Sequence, residues 1–179
     1  MKRLLLLAAA VLGLLVLPAV PVGADPETSC TVTWGSMPKA AGPPTSPSSE
    51  VRDIRTGRHD CYDRFVVDLD GPASGYRVRY VTQFRQDPSD QVIPLPGGAK
   101  IEIIVRAPGI DGGGQPTYPG VVGQPLPGVT VAGYQTFRST RYGGTVEGTT
   151  QFGLGVRARL PFRVMKLGNR VIIDVAHHW

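Results

Sequence analysis

One short stretch of this chain concentrates the side chains that could do chemistry. Arg55 to Leu69 reads R-T-G-R-H-D-C-Y-D-R-F-V-V-D-L. His59 sits among Asp60 and Asp63, and a histidine beside a carboxylate is the usual equipment of general acid–base catalysis. No serine or cysteine nucleophile motif accompanies it. The competing reading is structural. An acid and an arginine at the mouth of a strand order a turn, or Arg64 pairs across a sheet with a carboxylate such as Glu147 or Asp174. The structural reading is the expected one.

The remaining catalytic options are thinner. Asp68, Glu102, Glu147 and Asp174 could supply the carboxylate pair of a glycosidase, but their spacing carries no signature. His59, His177 and His178 lack the spacing of a metal site, and His177 and His178 on an extended segment point to opposite faces. No nucleophile elbow and no metal-binding histidine box occurs. No catalytic residue, metal ligand or cofactor is therefore assigned, and the chain is expected not to be an enzyme. A small secreted hydrolase with an unrecognised site stands as an alternative.

A more diffuse signal concerns binding. Arg77, Arg79, Arg106, Arg157, Arg159, Arg163 and Arg170 fall on strand positions opposite, or next to, the apolar set. Gathered on one sheet face they would make a cationic surface for an anionic wall polymer or glycan carboxylates. Tyr62, Tyr76, Tyr118, Tyr134 and Tyr142 could stack on sugar rings. The plain alternative is the solvated face of half-buried strands. The binding candidates are Arg58, His59, Tyr62, Arg64, Arg77, Arg79, Arg157 and Arg159.

These residues must be positioned by strands. Phe65, Val67 and Leu69 alternate with Arg64, Val66 and Asp68, and Val51 to Arg55 precedes them before a turn at Gly57. Tyr76, Val78 and Tyr80 alternate likewise, joined to the previous strand through Gly71 to Gly75 as in an antiparallel hairpin. Further strands are predicted for C-T-V-T-W, which carries Trp34 into the core, and for Lys100 to Arg106. Val129 to Arg138 is another, turned at Gly143-Gly144. The last are Phe152 to Leu160, Phe162 to Leu167 and Arg170 to Val175. Gly153 and Gly155 imply a bulge or a close backbone approach. Pro108 to Gly128 is a long Gly- and Pro-rich surface loop, and a possible scaffold contact for another exported protein. With no helical period after the N-terminus, the pattern predicts an all-β fold, a small antiparallel β-sandwich.

The N-terminus sets the compartment. Lys2 and Arg3 precede an apolar run from Leu4 to Val20, and Val22-Gly23-Ala24 follows, so residues 1–24 form a signal peptide cleaved after Ala24, against the alternative of a retained anchor. Cys30 lies too far beyond the run for lipidation. Cleavage removes two of the 19 basic side chains, leaving 17 against 14 acidic ones, a net charge of +3. That mild excess argues against a nucleic-acid partner. The mature chain of 155 residues (179 less 24) suits one domain. Residues 25–50 form an N-terminal extension with a Pro/Ser-rich loop, and 51–179 the domain. In an oxidising compartment Cys30 and Cys61 form one disulfide by default, worth about 3–4 kcal/mol by loop entropy. No membrane span is expected after cleavage.

Several segments, in order, resemble one family. G-R-H-D-C-Y-D-R-F-V-V-D-L, G-Y-R-V-R-Y-V, G-G-A-K-I-E-I-I-V, V-E-G-T-T-Q-F-G-L-G, F-R-V-M-K-L and R-V-I-I-D-V-A-H resemble the AMIN-like domain, over about Val51 to His177. The family occurs in exported proteins and lipoproteins of actinobacteria. The resemblance implies a β-sandwich similar to the AMIN domain of cell-wall amidases. It implies a non-catalytic module, secreted and envelope-associated, that engages peptidoglycan or another wall polymer. Cys61 departs from the family pattern, and no hydrolase domain accompanies the module in this sequence.

Overall fold

The computed structural model describes residues 30–42 and 49–179; the signal segment 1–24 lies outside the described residues. Strand-forming β-branched and aromatic residues give nine strands among the described residues: β1 Lys39–Ala41, β2 Val51–Arg58, β3 Tyr62–Leu69, β4 Tyr76–Val81, β5 Ala99–Val105, β6 Phe137–Val146, β7 Thr149–Val156, β8 Phe162–Leu167 and β9 Arg170–Ala176. All pairings are antiparallel, in one sheet of order β1-β4-β5-β7-β6 and one of order β2-β3-β9-β8. The chain is all-β, a small antiparallel β-sandwich.

The alternation explains the core between the sheets. Phe65 and Val67 of β3 and Ile173 and Val175 of β9 meet Ile101 and Ile103 of β5 and Phe152 and Leu154 of β7, all fully buried. Each such side chain contributes about 1.5–3 kcal/mol of transfer free energy. β3 and β9 are each paired on both edges, so the Arg55–Leu69 stretch enters the middle of the four-stranded sheet.

The connections differ from the sequence expectations in several places. The segment 71–75 is not a hairpin: β3 and β4 lie in different sheets, so it crosses the sandwich edge. Gly57 is not a turn but sits inside β2 opposite Arg64. Gly143 and Gly144 are not a turn either. A bulge falls between Tyr142 and Gly144, and the reversal comes at Glu147-Gly148, both with positive φ (47° and 74°), the signature of a two-residue hairpin loop. Residues 129–136 make turns rather than a strand, closed by hydrogen bonds from Val129 N–H to Leu126 O and Tyr134 N–H to Val131 O.

C-T-V-T-W is no strand, and Trp34 stays out of the core. The Cys30–Cys61 disulfide ties this segment to the start of β3. Residues 108–128 are not a free surface loop. Tyr118 and Leu126 are buried in the main core, and Tyr142 N–H donates to Gln124 O. A smaller core of Phe84, Ile93 and Leu95 covers the outer face of β7, where Gly153 and Gly155 leave it room. A Cβ on Gly153 would stand 2.8 Å from the Phe84 ring.

Candidate functional site

Register builds the site. Arg64 on β3 lies between Gly57 on β2 and Asp174 on β9, and Asp174 lies beside Arg163 on β8. Four strands thus place a Gly–Arg–Asp–Arg row across the outer face of the four-stranded sheet. Asp174 is fully buried by its neighbours and accepts from both arginines: Arg64 Nε at 2.7 Å, Arg64 Nη2 at 3.0 Å and Arg163 Nε at 2.9 Å. The hydrogen bond to Asp174 raises the Arg64 pKa, against the opposing effect of partial burial. One carboxylate between two guanidiniums leaves the row with one net positive charge.

Rings surround this row. Tyr62, at the start of β3, stacks on His59 with centroids 4.5 Å apart and meets Trp34 edge-on at 5.7 Å. Arg163 lies over the Trp34 ring at 4.4 Å and Arg64 over the Tyr62 ring at 5.2 Å, distances at which a cation is attracted to a ring face. Arg64 Nη2 donates to the Tyr62 hydroxyl at 3.2 Å. The segment that carries Trp34 is held by the disulfide at Cys30, by Phe162 N–H donating to Gly35 O at 2.9 Å and by Arg159 Nε donating to Ser36 Oγ at 3.2 Å. A shallow depression lined by Arg58, His59, Asp60, Cys61 and Tyr62 opens at the rim. The result is a platform of rings and guanidinium planes, with hydrogen-bond donors at its edge.

Asp63 belongs to a different construction. Strand alternation turns it inward, where it is fully buried and accepts from the N–H groups of Thr136 (2.6 Å) and Phe137 (3.0 Å). His177 stands against it, Nε2 to Oδ1 at 3.2 Å, with its Nδ1 3.2 Å from Asp60 O. Asp63 is thus spent on the fold and forms no acid–base pair with His59. His177 is buried. Of the four carboxylates considered for glycosidase chemistry three are engaged, Asp68 by Arg55, Glu102 by Arg79 and Asp174 as above, and Glu147 is exposed in the β6–β7 turn, away from Arg64. Among the described residues no group of three or more His, Cys, Asp and Glu side chains could hold a metal ion.

The strand arginines do not gather on one face. His59, Tyr62 and Arg64 come together at the platform, whereas Arg58, opposite the inward-facing Asp63, reaches toward Gly133. Arg77 and Arg79 lie on the opposite outer face, around Glu102. Arg157 and Arg159 tie down the chain ends: Arg157 donates to His177 O, and Arg159 holds Ser36 while lying over the Tyr80 ring at 5.1 Å. Tyr118 and Tyr142 are buried and unavailable for stacking. Sequence reasoning missed Trp34 as a platform member, having assigned it to the core. Its proximity in sequence to Cys30, the partner of Cys61, was the one usable signal.

A family model described as the AMIN-like domain matches residues 49–177. No curated protein and no solved structure matches the chain.

Proposed function

Because the chain belongs to the AMIN-like domain family, we propose that it is a non-catalytic binding module of the cell envelope whose platform meets a wall glycan such as peptidoglycan. The observation that carries this reading is the Trp34–Tyr62–His59 ring cluster with Arg163 and Arg64 laid over its faces. Sugar rings offer an apolar C–H face and a rim of hydroxyls, which aromatic side chains with a polar handle and guanidinium donors complement. The Cys30–Cys61 bond supports an oxidising, extracytoplasmic compartment. The engagement of Asp63, Asp68, Glu102 and Asp174 by other groups supports a binding rather than a hydrolytic role.

The test is sedimentation with purified insoluble wall at low salt, comparing the intact protein with W34A and R163Q. Arg163 is on an edge strand and 37% exposed, and in R163Q the buried Asp174 keeps its pair with Arg64, so an unchanged circular dichroism spectrum is the control for fold. Co-sedimentation of the intact protein, reduced about tenfold in each variant, is the expected result, since each loses a stacking or charge-assisted contact of about 1–2 kcal/mol. Failure of the folded protein to sediment at low salt would overturn the proposal, as would release of soluble wall fragments during the incubation.

A further inference from the structure

The opposite outer face carries a second concavity that the platform does not use. It is a cleft of about 340 Å³ over β1, β4 and β5, with Ala40, Ala41 and Ile104 among its apolar lining. Arg77 and Arg106 line it, and no carboxylate does. Six other guanidiniums are matched by carboxylates. Arg52, Arg55, Arg64, Arg79, Arg85 and Arg163 each hold a carboxylate within 3.1 Å.

Arg77 and Arg106 have no such close carboxylate and share a cleft. Arg77 reaches Glu102 at 3.9 Å, but that oxygen already accepts from Arg79 Nε at 2.7 Å. The Arg106 side chain has no ion pair or hydrogen bond among the described residues, although it is partly buried. Its position is nonetheless fixed. The Arg106 N–H donates to Gly75 O at 2.9 Å, and Ser74 Oγ donates to Arg106 O at 2.7 Å. Its side-chain stem lies where Gly75 has no Cβ; one there would be 2.8 Å from Arg106 Cδ.

Two like charges held in a concavity repel each other and focus a positive potential on it. An anion with two oxygens removes the repulsion and fits the guanidinium forks. The apolar Ile104 and the neighbouring Ala40 and Ala41 of β1 extend the cleft beyond what a bare ion would fill. We propose that this cleft binds an acidic sugar residue, its carboxylate or phosphate held between Arg77 and Arg106 and its ring resting on Ile104. This goes beyond the platform reading. With the platform on the other outer face, the module would hold two polymer segments at once.

The experiment is calorimetric titration of the intact protein at low salt with trigalacturonate, a sugar phosphate, a neutral galactose trisaccharide and inorganic phosphate. Saturable binding of an acidic sugar that weakens with added salt, with no binding of the neutral trisaccharide, is expected. R77Q and R106Q should each weaken it about tenfold, the effect of losing one charge-assisted hydrogen bond. Arg77 is half exposed, so R77Q keeps the fold and reports on the cleft even if R106Q disturbs the strand end. W34A should leave this titration unchanged, which separates it from the wall-sedimentation result. Equal binding of the neutral trisaccharide, an unaltered R77Q titration, or inorganic phosphate binding as tightly as the acidic sugars would each overturn the proposal.

Discussion

Asp174 shows how much of this protein turns on single buried charges. Its carboxylate is inaccessible to water and satisfies donors from Arg64 and Arg163. Removing one partner of a buried pair leaves the other charge uncompensated, which costs about 3–5 kcal/mol. Both arginines keep some contact with water, so D174A should fall at the lower end, about 3 kcal/mol, read as a lower urea midpoint. D174N keeps the shape and one acceptor and should lose less. If D174A unfolds at the midpoint of the intact protein, the carboxylate is not what holds the row. This pairing was legible in the sequence, because Arg64 and Asp174 both fall on non-core positions of strongly alternating segments. The role of Asp63 was not. Its partners, Thr136 and Phe137, are distant in sequence and sit where a turn ends. Alternation tells which way a side chain points but not which backbone amides it will meet.

At the scale of elements, the disulfide and the glycines of β7 decide how irregular segments are fastened to the sheets. Cys30 and Cys61 close a separation of 31 residues, and the loop-entropy estimate for a ring of that size is about 3–4 kcal/mol. The C30S/C61S protein should lose about that much stability in chemical denaturation. Wall binding in the native state should be kept, because the Phe162 N–H to Gly35 O bond at 2.9 Å and Arg159 on Ser36 still hold the segment that carries Trp34. Loss of sedimentation with the fold intact would show that the disulfide alone positions Trp34. Gly155 fastens a different piece. A Cβ there would stand 1.9 Å from Pro96 O, so G155A must lift the 82–98 segment and its small core of Phe84, Ile93 and Leu95. Overpacking of this kind costs about 1–3 kcal/mol. Faster tryptic cleavage at Arg85 than in the intact protein is the expected readout. The strands themselves were largely legible from period-two alternation. Their partners were not: the 71–75 connection reads like a hairpin locally, and whether two strands share a sheet is settled by the core. Gly153 and Gly155 did announce a close approach, though not what approaches.

For the whole molecule, the sandwich separates what the sequence left as one basic set. Arg64 and Arg163 face one way, Arg77 and Arg106 the other, and Arg157 and Arg159 bind the chain's own ends. A cationic count along a sequence cannot make that division, because it depends on which sheet each strand joins. The same two-layer packing buries tyrosine hydroxyls and gives the protein a predictable response to base. Burial raises the pKa of Tyr118, Tyr142 and Tyr80 above 10.0. Their hydroxyls have partners inside the fold: Pro127 O for Tyr118, the Thr145 hydroxyl for Tyr142, and Leu160 O for Tyr80. A raised folded-state pKa means that the folded protein holds its phenolic protons more tightly than the unfolded chain. The associated stability is then fully present below the unfolded value near 10 and is lost as pH rises through the folded values. Urea midpoints should therefore not fall through these groups between pH 7 and pH 9, and should fall steeply above pH 10. Ultraviolet titration should record these phenols ionising together with the loss of fold. Y118F, which removes one proton and one hydrogen bond, should flatten the alkaline decline. An unchanged slope in Y118F would place the alkaline sensitivity elsewhere in the molecule.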